Sequence, residues 1–423
     1  MPTDIRNIVA TAEPARTPEQ RAKLRSHFRE KVSPEFRKLR ETVNAARKAR
    51  DDFDRTIPST MVMAEMEKPR DTFIRMRGAY DQLGDKVTAG TPVALPPLPA
   101  GEPLNRLGLA RWLVSDSQPL TSRVVVNRFW QMFFGTGLVK TAEDFGSQGD
   151  WPSHPELLDW LSREFVESGW NVKRLQRLIL TSATYRRSAR VDPASLQVDP
   201  ENRLLARGAR FRLQAEFIRD QALAISGLLD ERIGGASVSP YQPPGLWEEL
   251  SMREDSRNFS AQFFVQSKGQ DLYRRSMYTF WKRSSPPPQM STFDAPDRET
   301  CTVRRPRTNT PLQALVLLND PTYIEASRKL AEKLLQRPGT DAERVAWAFR
   351  RATARIPSSQ EQAVLLRVLD QQRRHYRANP PVAEQLLGNG EATRDLTLDA
   401  AELAAWTLLS STILNLDETL TKG

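Results

Sequence analysis

The chain of 423 residues is long enough for two or three domains of roughly 100–200 residues each. Lys and Arg outnumber Asp and Glu by 62 to 52, and the net charge of +10 favours anionic partners such as polysaccharide, nucleic acid or a membrane surface. The single cysteine, Cys301, excludes an intramolecular disulfide framework and a cysteine-rich metal site. No run is apolar enough for a membrane-spanning helix, and residues 1–20 lack the apolar core of an export signal.

Helix starts are marked by a capping residue with a Glu or Gln three positions later. These predicted capping boxes pair Thr17 with Gln20, Ser153 with Glu156, Thr340 with Glu343, and Ser358 with Glu361. Behind Ser33 and Pro34, apolar residues recur at the spacing of one helix face: Phe36, Leu39, Val43 and Ala46. The three valines at 124–126 are ambiguous by propensity, but aromatic residues and Gly135 follow at helical spacing and predict a helix.

One region departs from the helical pattern. Residues 72–95 alternate, turn at Gly78 and Gly84, and run into Pro96, which predicts a small strand pair or an extended arm. Residues 379–395 have the composition of a surface loop before a final helix. The sequence therefore predicts a mainly α fold: a multi-helix domain with long ordered Pro-rich loops and a small β element near 72–95. The predicted parts are a basic helical arm (1–58), an extended connector with short strands (59–100), and a helical domain (101–423) interrupted by a loop at 276–311.

The segment 276–311 is the most distinctive part of the chain. It lacks a helical or strand period and is rich in Pro, Arg, Asp and aromatic residues, which predicts an ordered loop that presents polar groups. Arginines beside a tryptophan and before the helix start at Thr310 suit a carboxylate, sulfate or phosphate, because guanidinium forks bind such groups. The candidate ligand-binding residues are Trp281, Arg283, Arg298, Arg304, Arg305 and Arg307. The alternative is that these arginines only form ion pairs within the protein.

Four residues are candidates for catalysis. Asp294, Asp297 and Glu299 lie within six residues of one another, and such carboxylates can supply an acid and a base for glycosidic cleavage or coordinate Ca²⁺. Equally, they can pair with the loop arginines and hold the loop in place. His154 stands at a predicted helix start, where it can receive an anion or simply begin the helix. No spaced set of His and carboxylates predicts a metal site, and Cys301 is expected to be a buried structural thiol.

From residue 105 onward, several motifs resemble those of a known family. They are NRFW at 127–130, FGTGLV at 134–139, SHPELLDWL at 153–161, LTSATY at 180–185, DPENRL at 199–204, FRL at 211–213, DQAL at 220–223, YQPPGLW at 241–247, TNTPLQAL at 308–315 and LNLDE at 414–418. They resemble the uncharacterised domain that closes Planctomycete cytochrome-C-type proteins, the Planctomycete cytochrome-associated domain family. The resemblance covers about three quarters of the chain, and it identifies no catalytic residue.

The resemblance implies a cellular setting. Members of that family are typically large exported bacterial proteins with a signal, often a haem-binding domain, and this domain last. The present sequence has no Cys-x-x-Cys-His, so it is expected to hold no haem or other cofactor of its own. It looks like the C-terminal portion of such a protein, with a cytochrome-bearing protein or separate N-terminal domains as its expected partner. The family setting implies the periplasm or cell envelope, whereas this sequence itself shows no export signal.

Three functions follow as hypotheses. The first is an envelope-associated module that binds an anionic ligand, such as polysaccharide, or a protein partner through the loop at 276–311. The second is a polysaccharide hydrolase or lyase that uses Asp294, Asp297 and Glu299. The third is a nucleic-acid-binding protein that uses the basic N-terminal helices, although no recognition motif accompanies their charge.

Overall fold

The computed structural model describes residues 1–249 and 263–423. Within them, helices dominate and the strands form two small two-stranded sheets, which confirms the predicted mainly α fold with a small β element. The chain forms two compact units, Met1–Gly90 with Pro103–Leu107, and Thr91–Glu102 with Gly108–Gly423. Among the described residues, no helix combines the length and apolar character needed to cross a membrane.

The first unit carries three helices and a strand pair. These are α1 (Thr3–Ala10), α2 (Pro18–His27), α3 (Pro34–Thr56), β1 (Thr72–Arg75) and β2 (Leu83–Val87). Thr17 and Gln20 form the predicted capping box at the start of α2. The two strands pair antiparallel, so of the two alternatives predicted for 72–95, a strand pair or an extended arm, the strand pair is the one that forms.

The second unit begins with a group of helices around its own core. Its elements are α4 (Arg106–Leu113), which starts at the unit boundary, α5 (Thr121–Phe134), α6 (Pro155–Glu167), α7 (Val172–Thr181) and α8 (Pro193–Val198). The valine run at 124–126 lies in α5, so the helical interpretation is confirmed. The predicted box of Ser153 with Glu156 is wrong, because His154 is the N-cap and the amide of Ser153 donates to the carbonyl of Leu138 at 2.9 Å.

Many of the remaining helices pack around one central helix. They are β3 (Phe211–Arg212), α9 (Ala215–Ser226), α10 (Leu246–Glu249), α11 (Pro288–Thr292), α12 (Pro311–Asn319), α13 (Pro321–Gln336), α14 (Asp341–Thr353), α15 (Ser359–Ala378), α16 (Pro380–Leu387), α17 (Ala400–Leu414), α18 (Asp417–Leu420) and β4 (Thr421–Lys422). Helices α13 and α15 pack on α17, where Leu330, Leu403 and Trp406 are fully buried. Burial of each such side chain stabilises the fold by about 1.5–3 kcal/mol.

Strand β4 returns the chain to the first part of the second unit. It pairs antiparallel with β3, so that Phe211 lies opposite Lys422 and Arg212 lies opposite Thr421. The ammonium of Lys422 lies 4.4 Å from the ring centroid of Tyr185, within range of a cation–π contact. This pairing fixes the positions of Phe211 and Arg212, each of which lines one or more of the surface depressions described below.

The loop at 276–311 is packed against the second unit. It contains a 3₁₀ turn (Ser276–Tyr278) and the short helix α11, and it buries Met290 and Phe293. Arg219 of α9, itself buried, donates to the carbonyl of Arg274 at 2.9 Å and to the hydroxyl of Ser276 at 3.2 Å. The side chain of Cys301 is exposed, so the expectation of a buried thiol is wrong.

The segment at 379–395 is held by a buried carboxylate. Glu325 of α13 accepts hydrogen bonds from the hydroxyls of Tyr241 at 3.1 Å and Tyr273 at 3.0 Å, and from the amide of Ala392. Burial first, and the charge of Glu325 second, raise the pKa of Tyr241 to about 12. The prediction of a loop throughout 379–395 is wrong for its first half, which forms α16.

Candidate functional site

A cleft rich in arginine lies where the end of the loop meets α5 and β3. Its volume is about 610 Å³. Its charged lining residues are Arg128, Arg212, Asp294, Arg304, Arg305 and Arg307. We call this depression the basic cleft. Of the ten candidate ligand-binding and catalytic residues predicted from the sequence, the basic cleft brings together four: Asp294, Arg304, Arg305 and Arg307.

Asp294 and Arg212 form the floor of the basic cleft and fix the loop. Their side chains form an ion pair and are only 13% and 11% exposed. Asp294 also accepts hydrogen bonds from the amide of Thr308 at 2.8 Å and from its hydroxyl at 2.9 Å. Asp294 has φ +60°, a left-handed conformation that Asp adopts more readily than most residues. Its carboxylate is therefore engaged in holding two ends of the loop together.

Two further arginines of the basic cleft have carboxylate partners outside the loop. Arg304 lies 3.4 Å from Glu143, and Arg305 lies 2.7 Å from Glu216 of α9. The Arg305 pair is the more buried of the two, because its side chains are 29% and 19% exposed, against 56% and 47% for the Arg304 pair. These pairs attach the loop to the second unit and neutralise part of its charge.

Arg307 has a different environment. Its guanidinium donates to the carbonyl of Gly135 at 3.1 Å and lies 4.5 Å from the ring centroid of Phe211. Partial exclusion of water first, and the charge of Arg212 second, lower the pKa of Arg307 from its ordinary value. Among the described residues, neither Arg307 nor Arg128 has a carboxylate within 4.0 Å. Both charges are therefore available to a ligand.

The residue at 135 must be glycine for this arrangement. Gly135 ends α5 with φ +81°, and a Cβ atom built there would lie 2.8 Å from Cδ1 of Phe211. It would also lie 3.4 Å from the guanidinium of Arg307. The absence of a side chain at Gly135 lets both groups approach the end of the helix.

The basic cleft carries an excess of positive charge. Five guanidiniums line it, while the nearby carboxylates are Asp294 on its floor and the partners of Arg304 and Arg305, Glu143 and Glu216. Five positive charges less three negative ones leave two, which correspond to Arg128 and Arg307. Such an excess in a concave surface attracts anions and is weakened by salt.

The other candidate residues of the loop contact one another in a separate cluster, formed by residues 281–283 and 297–299. Arg298 lies 4.3 Å from the ring centroid of Trp281, whose indole N–H donates to the carbonyl of Asp297 at 3.0 Å. Arg283 pairs with Glu299 at 3.5 Å, and the carboxylate of Asp297 accepts from the amide of Glu299 at 2.9 Å. None of these five residues is among those that line the basic cleft.

His154 lies apart from both groups of loop residues. It is the N-cap of α6, and its Nδ1 lies 3.0 Å from the hydroxyl of Ser153. It does not line the basic cleft. Within the described ranges, 1–249 and 263–423, no group of three or more His, Cys, Asp or Glu side chains is placed to hold a metal ion.

The fold and the basic cleft define a mainly α-helical protein with an arginine-rich surface on its second unit. Within that class, residues 105–369 match a family described as PSD1, protein of unknown function (DUF1553), and the chain belongs to this family. The match covers α4–α14, the loop and every residue that lines the basic cleft. No curated protein matches the chain, and no solved structure does.

Proposed function

We propose that this chain is a binding module for an anionic ligand, with carboxylated or sulfated polysaccharide as the ligand class and the basic cleft as the site. The observation that carries the proposal is the pair of arginines, Arg128 and Arg307, that face a cleft of about 610 Å³ and have no carboxylate partner in the described ranges, 1–249 and 263–423. The loop that bears Arg307 is held from three sides, by Asp294, Glu143 and Glu216. A ligand therefore meets a loop whose arginines are already positioned.

The chemistry of guanidinium groups favours this ligand class. A guanidinium presents parallel N–H donors that match the two oxygens of a carboxylate or sulfate. Arg307 is partly excluded from water, so an incoming anion has less hydration to displace there than at a fully solvated arginine. The side chain of Arg128 is exposed, and it can turn toward the ligand at little cost.

The contacts of the carboxylates favour binding over hydrolysis. A glycosidase needs two carboxyl groups that flank the bond to be cleaved. The carboxylate of Asp294 is engaged with Arg212 and Thr308, while Asp297 and Glu299 lie in the separate cluster with Trp281. The hydrolase alternative predicts that Asp297→Asn abolishes turnover of a polysaccharide, whereas the binding proposal predicts no turnover to lose.

We further propose an envelope setting and a cytochrome-bearing partner. This proposal rests on the resemblance of the motifs at 127–139 and 308–315 to the cytochrome-associated domain, and on membership of the family matched at 105–369. It predicts that the purified chain co-elutes in gel filtration with a c-type cytochrome encoded beside it. Separate elution of the two proteins at micromolar concentration would contradict the partnership and leave the basic cleft untouched.

A thermal-shift experiment tests the anion proposal. The probes are polygalacturonate, dextran sulfate and neutral dextran; the last two share a backbone and differ mainly in charge, and the first carries carboxylates in place of sulfates. A ligand present at 100 times its dissociation constant adds about 2.7 kcal/mol to the free energy of unfolding, which is readily seen as a higher melting temperature. We expect a shift with the two anionic polymers at low salt and none with dextran.

Matched variants locate the site. Arg128→Gln and Arg307→Gln each remove a charge from the basic cleft, and we expect each to reduce the ligand-induced shift. Arg283→Gln removes an exposed arginine of the loop that lies outside the cleft, and we expect the full shift to remain. Equal shifts in all three variants would place binding elsewhere and refute the assignment.

A further inference from the structure

The basic cleft adjoins two further depressions. A second depression of about 320 Å³ has Trp130, Phe134 and Phe211 in its wall, and we call it the aromatic depression. A third of about 400 Å³ lies along β4 and the start of α12, and we call it the strand depression. Arg307 lines all three, and Phe211 lines both the aromatic depression and the strand depression. The three depressions therefore adjoin at Arg307, and we call them together the groove.

The aromatic depression is also positively charged. Arg203 lines it and donates to two backbone carbonyls at 2.8 and 3.0 Å. Arg207 lines it as well and donates to two more at 3.0 and 2.8 Å. Backbone carbonyls satisfy the N–H groups of these arginines but carry no net charge. The positive charges of Arg203 and Arg207 therefore add to that of Arg307.

Acidic groups do not cancel this excess. The aromatic depression has one carboxylate in its lining, Glu201, which pairs with Lys140 at 2.7 Å. In the strand depression, Asp417 pairs with Arg210, while Arg307 remains without a carboxylate partner among the described residues. The aromatic depression thus keeps two positive charges beyond that of Arg307, whereas the strand depression shares the charges of Arg212 and Arg307 with the basic cleft.

We infer that the ligand is a linear polyanionic glycan whose successive charged units occupy the three depressions. This inference rests on the proposed function and extends it from a single anion to a chain. A small anion would need only the fork of Arg307. Adjoining depressions with arginines in the aromatic depression as well as in the basic cleft instead fit a polymer with a charge on each repeating unit.

The aromatic rings of the groove favour a glycan over a nucleic acid. Single-stranded nucleic acids bind through bases that stack on free aromatic faces. Trp130 and Phe134 stack on each other at 4.2 Å and are both buried. Phe211 has the guanidinium of Arg307 at 4.5 Å and the ammonium of Lys422 at 5.9 Å. These contacts leave the rings of the groove poorly placed to accept a base.

The test is a length series. Isothermal titration measures the dissociation constant of the whole chain for oligogalacturonides of two, four, six and eight units at one low salt concentration. A point site gains only a few-fold from two to eight units, because a longer chain offers more registers. The groove predicts a gain of more than tenfold that levels off once the three depressions are filled.

Variants that fill one end of the groove sharpen the test. Val191 is exposed and lines the aromatic depression. The substitution Val191→Trp should therefore weaken binding of the eight-unit oligogalacturonide several-fold and leave binding of the two-unit one unchanged. Val198 is also exposed but lines none of the three depressions, and Val198→Trp is the matched control. Ala314→Trp should have the corresponding effect at the strand depression.

The outcomes separate the inference from the proposed function. Equal affinity for the two-unit and eight-unit oligogalacturonides would overturn the inference of a polymer-binding groove and leave a single anion site in place. Loss of binding to every oligogalacturonide and to dextran sulfate would overturn the proposed function itself. Tighter binding of an oligothymidylate than of an oligogalacturonide with the same number of charges would overturn the assignment to a glycan.

Discussion

Asp294 provides the sharpest prediction about the loop, because its carboxylate holds the loop and lines the basic cleft at once. The substitution Asp294→Asn keeps a side chain that tolerates φ +60° and retains an oxygen for the amide of Thr308. It removes the negative charge that faces Arg212, whose side chain is 11% exposed. Breaking a buried ion pair by removing one partner costs about 3–5 kcal/mol. Because this pair keeps some contact with water, we expect a loss near the lower end, about 3 kcal/mol.

The matched control is Asp297→Asn, three residues along the same loop. Asp297 is exposed, and its carboxylate accepts one hydrogen bond, from the amide of Glu299 at 2.9 Å. A surface substitution of this kind changes the free energy of unfolding by no more than about 0.5 kcal/mol. Both variants replace a carboxylate by an amide of nearly the same size. The difference between their free energies of unfolding therefore measures the contacts of Asp294.

Urea denaturation followed by tryptophan fluorescence is the suitable assay. All nine tryptophans lie at residue 112 or beyond, so the signal reports on the second unit. An Asp294→Asn variant within about 0.5 kcal/mol of the wild type would refute the description of Asp294 as the residue that holds the loop.

Two further predictions concern the helical part of the second unit. Gly390→Ala should destabilise the protein and speed hydrogen exchange at 388–392, because Gly390 has φ +85° and an added Cβ would meet the carboxylate of Glu325. The control Gly388→Ala should change the free energy of unfolding very little. Equal effects of the two substitutions would contradict the description of this turn. Hydrogen bonds from Arg355, and next from the amide of Ser358, lower the pKa of Glu361 to about 2. A depressed carboxylate pKa stabilises the folded state above the ordinary value of 4.5, and the gain is lost as pH falls toward 2. Melting temperatures between pH 6 and pH 2 should therefore fall more steeply in the wild type than in Arg355→Gln, and parallel curves would refute the assignment.

Local signals in the sequence predict the helices well. The boxes of Thr17 with Gln20, Thr340 with Glu343 and Ser358 with Glu361 all form, because each depends on atoms within one turn. Helix α16 was harder to foresee, since Gly388, Asn389 and Gly390 follow it closely and resemble a loop. Its stability comes from the burial of Ala383 and Leu387 against distant helices, which a local pattern does not contain.

The candidate site could be predicted only in part. The arginines at 304–307 are evident from composition, and their position before a helix start suggests an anion site. Their partners are not evident, because Glu143 and Glu216 lie far away in sequence. The same holds for Phe211, which β4 places beside Arg307 only when the chain end returns to pair with β3. Which arginines remain without a carboxylate partner is a property of the tertiary structure.

The central claim is that the excess charge of Arg128 and Arg307 binds an anionic polysaccharide in the basic cleft. The most direct measurement is the dissociation constant for dextran sulfate by isothermal titration, at salt concentrations from about 50 to about 500 mM, where screening of surface charges becomes strong. Binding of dextran sulfate by the wild type should weaken steeply as the salt concentration rises. The double variant Arg128→Gln with Arg307→Gln should bind more weakly, and its affinity should depend less on salt. Identical affinities and salt dependences in the wild type and the double variant would contradict the claim.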